Sequence, residues 1–229
     1  MLLSGCGMLT PLKKPEIGPA GKPVESKPNP PFTQRFISPP GELYDLEETA
    51  GVIFEGIIKN NWQQAKVGLS TLEKQWPQVK LLIGDKKGVT TGNEALEKLT
   101  TAIAENKTIE SYESLNKFMA SMSDIGKSYK LSPISDIIGV GNSIRNVSFY
   151  VENNDWPKAI AKMKELDSTW GQAKPNLESI GILSKITTTH SIVKQMKDAV
   201  DAGNKGSVEE HIADINESIG YIREYYRGK

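Results

Sequence analysis

An internal repeat constrains this chain more than any other feature. Asn60-Asn61-Trp62-Gln63-Gln64-Ala65 returns 94 residues later as Asn154-Asp155-Trp156-Pro157-Lys158-Ala159. At the same offset Leu69 meets Met163, Leu72 meets Leu166, Trp76 meets Trp170, Gln78 meets Gln172 and Lys80 meets Lys174. The chain has four tryptophans, and they form two pairs, each 14 residues apart. A repeat of this length is the mark of a duplicated supersecondary unit.

The period inside each copy is helical. Trp62, Ala65, Leu69, Leu72, Trp76 and Val79 step by three and four, and Trp156, Ala159, Met163, Leu166, Trp170 and Ala173 repeat the pattern. That spacing puts each set on one seam of a helix. Asn61 and Asp155 are placed to cap the helix starts, and Pro157 falls in a first turn, where its missing donor costs nothing. Leu43, Leu46, Ala50, Ile53 and Ile57 predict a helix after Pro39-Pro40. Another is predicted over 91–103, with Thr91 and Glu94 as a capping box, and a fourth through Tyr112, Leu115, Met119, Met122 and Gly126. The second copy opens at Ser132-Pro133. Ile134, Ile137, Gly141, Ile144, Ser148 and Val151 form one seam, and Ile186, Val193, Met196 and Val200 another. A last helix is expected behind a Ser207-x-x-Glu210 cap, with Val208, Ile212, Ile215, Ile219 and Ile222 inward. No alternating strand pattern appears. The expected fold is all-α: two tandem up-down antiparallel helical bundle units, residues 41–131 and 132–229, or one longer helical array.

Composition narrows function. Twenty-eight basic residues balance 28 acidic ones, which argues against a general nucleic-acid binder. One cysteine excludes an internal disulfide and a multi-cysteine zinc site. No run of about 18 apolar residues is present, so no membrane-spanning helix is expected.

The amino end reads differently from the rest. Residues 7–40 hold nine of the 13 prolines, with five basic residues against two acidic ones. Proline fixes φ and removes a donor, so this stretch is expected to be a disordered, partly polyproline-II tether. Fully extended at ~3.1 Å per residue, it reaches roughly 100 Å. Before it, residues 1–6 end in Leu3-Ser4-Gly5-Cys6. These four residues resemble the bacterial lipobox, an aliphatic residue and two small ones before a cysteine that is lipidated. A signal peptide also needs a basic region and an apolar stretch, and neither precedes Cys6, so the true start is expected upstream of Met1. The lipobox implies a palmitate-type acylated anchor on Cys6 and a location on the outer face of a bacterial cell membrane. The paired Trp helices of residues 43–229 in turn resemble helical domains of uncharacterised lipoproteins from Gram-positive, clostridial-type bacteria. That resemblance implies fold and location, and no activity.

The remaining candidates read mainly as structure. The tryptophans can line an aromatic groove for sugars or cations, but a Trp seam interleaved with Ala and Leu favours a core. Met119, Met122, Met163 and Met196 sit at apolar positions and read as gap fillers. His190 and His211, with Glu209, Glu210 and Asp214, suggest a metal; a turn near 203–206 sets the two imidazoles about 10 Å apart along the helix axis, so a shared ion is not expected. Residues 84–90 lack the Gly-Lys-Ser/Thr of a phosphate loop, and no nucleophile elbow is present. The chain is therefore expected to be a non-enzymatic envelope lipoprotein without metal or cofactor. Its helical part would serve as an interaction or structural module, bound to the membrane through Cys6 and to another envelope protein. The competing expectation is a small-ligand or metal site between the two units, which a polar pocket of facing carboxylates there would favour.

Overall fold

A computed structural model describes residues 38–178 and 182–227. Cys6, the lipobox and all but the last three residues of the tether lie outside the described residues. The described chain is all helical, with no strand. Its eight helices are α1 (Glu42–Ile58), α2 (Trp62–Ile83), α3 (Val89–Ala104), α4 (Thr108–Gly126), α5 (Ile134–Glu152), α6 (Trp156–Glu178), α7 (Leu183–Asp201) and α8 (Lys205–Arg227).

Four of the connections are the same device. The chain leaves α1, α3, α5 and α7 through one left-handed residue: Asn60 (φ 53°), Asn106 (φ 55°), Asn154 (φ 56°) and Gly203 (φ 66°). At each, two backbone bonds close the helix end, as Asn60 N to Ile57 O (3.2 Å) and Asn61 N to Gly56 O (2.8 Å) do after α1. This is the Schellman arrangement, which satisfies carbonyls that the helix leaves orphaned. Asn visits the left-handed region more readily than other residues with a Cβ. Asn60→Gly is therefore expected to be neutral or slightly stabilising, and Asn60→Val to cost about 1–2 kcal/mol, readable by chemical denaturation.

The next helix then starts at once. Asn61 accepts from Gln64 N, Asp155 from Lys158 N and Asn204 from Ser207 N, each at 3.2 Å. The last of these corrects an expectation. Ser207 is not the cap of α8; Asn204 is, and Ser207 is already the third helical residue. Thr91 is displaced in the same way, because Gly88 (φ 109°) turns the chain into α3 earlier and Val89 begins the helix.

Each helix packs on its neighbours in sequence, α4 returns to α1, and α8 returns to α5; α1 also meets α5 and α8, and α4 meets α5. Side-chain bonds give the directions. Thr49 donates to Gln75 (2.9 Å) and Thr100 to Glu73 (2.8 Å), so α2 runs antiparallel to α1 and to α3. Ser143 reaches Thr169 (3.4 Å) and Lys194 reaches Asp167 (2.9 Å), which sets α6 against α5 and α7. Gly56 allows the α1–α2 crossing: a Cβ there would lie 2.6 Å from Ala65 N.

The seams are buried. Leu43, Leu46, Ala50, Ile53 and Ile57 are fully buried, as are Met119, Met122, Leu166 and Met196. Trp76 and Trp170 are buried, at 2% and 0% exposure. Trp62 and Trp156 are half-buried against the same core. They are the first residues of α2 and α6, where no further turn covers them.

Candidate functional site

A cleft of about 710 Å³ lies between α1, α5 and α8. Pockets of ~300–1,000 Å³ are the usual size for small ligands. It runs along α1 from Glu47 to Lys59, a helical length of roughly 18 Å. Its walls are mainly apolar and include Phe54, Ile58, Ile144, Val151, Ile212 and Ile219. Gly51 and Gly220 face it, and a Cβ added to either would meet nothing within 4 Å.

One end of the cleft is a buried charge cluster. Glu47 is 5% exposed. Its Oε1 accepts from Arg145 Nη1 at 2.8 Å and its Oε2 from Arg223 Nη1 at 3.0 Å. Gly141, one turn before Arg145, makes room for this carboxylate; any Cβ there would collide with Glu47 Oε1. Arg223 also reaches Glu48 (3.5 Å) and Glu224 (3.4 Å). Burial works against its charge, but attraction and hydrogen bonding from Glu47 outweigh that and raise its pKa. Arg145 has no such second acceptor. Its Nε and Nη2 are buried and unpartnered, so one complete side-on edge of the guanidinium is unsatisfied.

The other end is ionic but paired. Lys59 binds Glu55 at 2.6 Å, and Lys205 binds Glu152 at 3.0 Å and Glu209 at 3.6 Å. The cleft thus has facing carboxylates, most with a basic partner in contact.

The contact between α4 and α5 is filled instead. Tyr112 stacks on Phe149 with ring centroids 3.7 Å apart. Burial pushes the Tyr112 phenol well above its ordinary pKa, and its hydroxyl donates to Asn146 Oδ1 at 2.8 Å. Asn116 bridges Asn146 (2.8 Å) and Asn142 (2.6 Å). At the end of α4, a Cβ on Gly126 would lie 3.0 Å from the Ser135 backbone.

Of the metal candidates singled out from the sequence, only Glu209 lines the cleft, and seam residues such as Ile144 and Ile212 form its apolar wall; the four tryptophans and both histidines lie outside it. Trp76 Nε1 donates to Asn93 Oδ1 at 2.8 Å, and Trp170 Nε1 to His190 Nδ1 at 3.1 Å. His190 is therefore engaged by the core, away from His211, whose Nδ1 is buried without a partner. Among the described residues, no group of three or more His, Cys, Asp or Glu is placed to hold a metal, and no helix is long and apolar enough to cross a membrane. Tyr226 is buried, and its hydroxyl donates to Leu177 O at 2.8 Å, satisfying a carbonyl in the last turns of α6. Glu47, Arg145 and Arg223 were missed by sequence reasoning. The available signal was a charge beside the apolar seam on three separate helices, next to Leu46, Ile144 and Ile222.

The chain matches no protein-family model, no curated protein and no solved structure.

Proposed function

We propose that this chain is a non-enzymatic, membrane-anchored lipoprotein of the bacterial cell envelope, in which two duplicated four-helix units form a binding module. The cleft between α1, α5 and α8 carries this reading, because it is a defect in an otherwise repeated plan. Contacts recur at an offset of 94 in the first two helices of each unit: Thr49–Gln75 with Ser143–Thr169. The partners of Trp76 and Trp170, Asn93 and His190, are 97 apart, as are the left-handed Asn106 and Gly203. On these offsets, α4 on α5 corresponds to α8 on α1.

The two junctions differ where they correspond. Tyr112 and Asn116 become Glu209 and Ala213; Asn142, Asn146 and Phe149 become Glu48, Val52 and Glu55. All five replacements line the cleft. An aromatic stack and an amide ladder close the first junction. Two carboxylates cannot stack, and Ala and Val cannot rebuild the ladder, so the second junction stays open.

This favours the second reading, a small-ligand site between the units, over a purely structural module. A metal is the weaker form of that reading, since Glu55, Glu152 and Glu209 already have lysine partners.

The anchor rests on Leu3-Ser4-Gly5-Cys6 and the proline-rich tether. Two acyl chains hold a protein stably to a bilayer, whereas one is marginal. When the full-length gene is expressed, wild type is expected to stay with membranes through a high-salt wash and Cys6→Ala to be released or left unprocessed. Recovery of both in the same soluble pool would end the lipoprotein reading.

A further inference from the structure

We infer that the cleft binds a carboxylate with an apolar body, of the kind of a medium-chain fatty acid, with the carboxylate held on the free edge of Arg145. This rests on the small-ligand reading of the cleft and names the chemistry it selects.

The charge cluster supplies the argument. Glu47 can satisfy only part of two guanidinium groups. Arg223 completes its set with Glu48 and Glu224, while Arg145 keeps Nε and Nη2 without an acceptor. The side chain of Arg145 is nine-tenths buried, at 10% exposure. Leaving charged donors buried and unmade is costly. Nε and Nη2 donate in parallel, which matches the two oxygens of a carboxylate. Neither atom is reached by solvent, so binding at this edge requires the side chains that cover it to part.

The rest of the cleft selects the body. From Arg145 the lining continues past Ile144, Ser148 and Val151 on α5, with Phe54 and Ile58 opposite and Ile212 and Ile219 on α8. This wall offers an extended apolar chain burial without further polar demands. A cationic ligand fits less well, because the carboxylates at the far end already touch Lys59 and Lys205.

The open space over Gly51 and Gly220 allows a test that does not disturb folding. Gly220→Leu fills the cleft and replaces a poor helix former by a good one. Gly171→Leu is the control; it too meets nothing within 4 Å, on an exposed position of α6 outside the cleft. Decanoate, decanol and decylamine are titrated calorimetrically into wild type, Gly171→Leu, Gly220→Leu and Arg145→Gln, each checked for helicity. Decanoate is expected to bind wild type and Gly171→Leu alike, and to bind Gly220→Leu and Arg145→Gln at least about tenfold more weakly, the scale of a lost charge-assisted pair. Decanol affinity should be unchanged by Arg145→Gln. If that variant does not fold, the preference for decanoate over decanol in wild type decides the point. Equal binding of all three amphiphiles, lost in Gly220→Leu, overturns the carboxylate assignment and leaves the ligand cleft. Binding by none overturns the carboxylate assignment, and binding unaffected by Gly220→Leu overturns the cleft itself.

Discussion

Trp170→Ala is expected to destabilise the helical domain by about 3–5 kcal/mol, the range for removing a large core aromatic. Trp170 is fully buried, so truncation leaves a cavity that rigid neighbouring helices close only in part. It also strips His190 Nδ1 of its donor. Trp76→Ala should cost as much, since Trp76 packs edge-on against Phe118 at 5.4 Å and holds Asn93. Trp62→Ala and Trp156→Ala should cost clearly less, because both rings are only half-buried. For a domain of this size ~1 kcal/mol moves Tm by roughly 2–4 °C, so the two groups should separate in a thermal melt. Equal losses at all four positions would show that burial does not set the energetics here.

Glu47→Ala is the second large effect. It leaves the buried Arg145 with no counter-charge in contact and Arg223 with only the more exposed Glu48 and Glu224, and breaking a buried ion cluster from one side costs about 3–5 kcal/mol. Glu47→Gln should act in the same direction, because an amide keeps the shape and loses the charge. Replacing all three residues by leucine should recover much of the loss, since well-packed apolar residues often match a buried ion cluster in stability. Urea unfolding of the single and triple variants decides this. A single variant within about 0.5 kcal/mol of wild type, the range of ordinary surface substitutions, would mean that the cluster is solvated. The cluster joins α1 to α5 and α8.

The helices were legible because each needs one apolar seam at a period near 3.6, and local sequence records that period directly. Leu43 to Ile57 on α1 and Trp156 to Ala173 on α6 are cases in point. Helix starts were less legible. Thr91 and Ser207 have cap chemistry, yet Gly88 and Asn204 take the position, because a cap is chosen by where the backbone turns.

The candidate site was not legible. Glu47, Arg145 and Arg223 lie far apart in the chain, and each alone looks like a charge on a solvated helix face. Only the packing of three helices brings them together, and only the comparison of two corresponding junctions marks one as open. Local sequence was enough for the helical class and for the apolar seam of each helix, because a seam is a short-range property. Tertiary structure alone decided which tryptophans are fully enclosed, that Trp170 holds His190, and that a cleft remains between α1 and α8. Those depend on which side chains meet across helices, a matter of shape and charge at junctions that no single helix encodes.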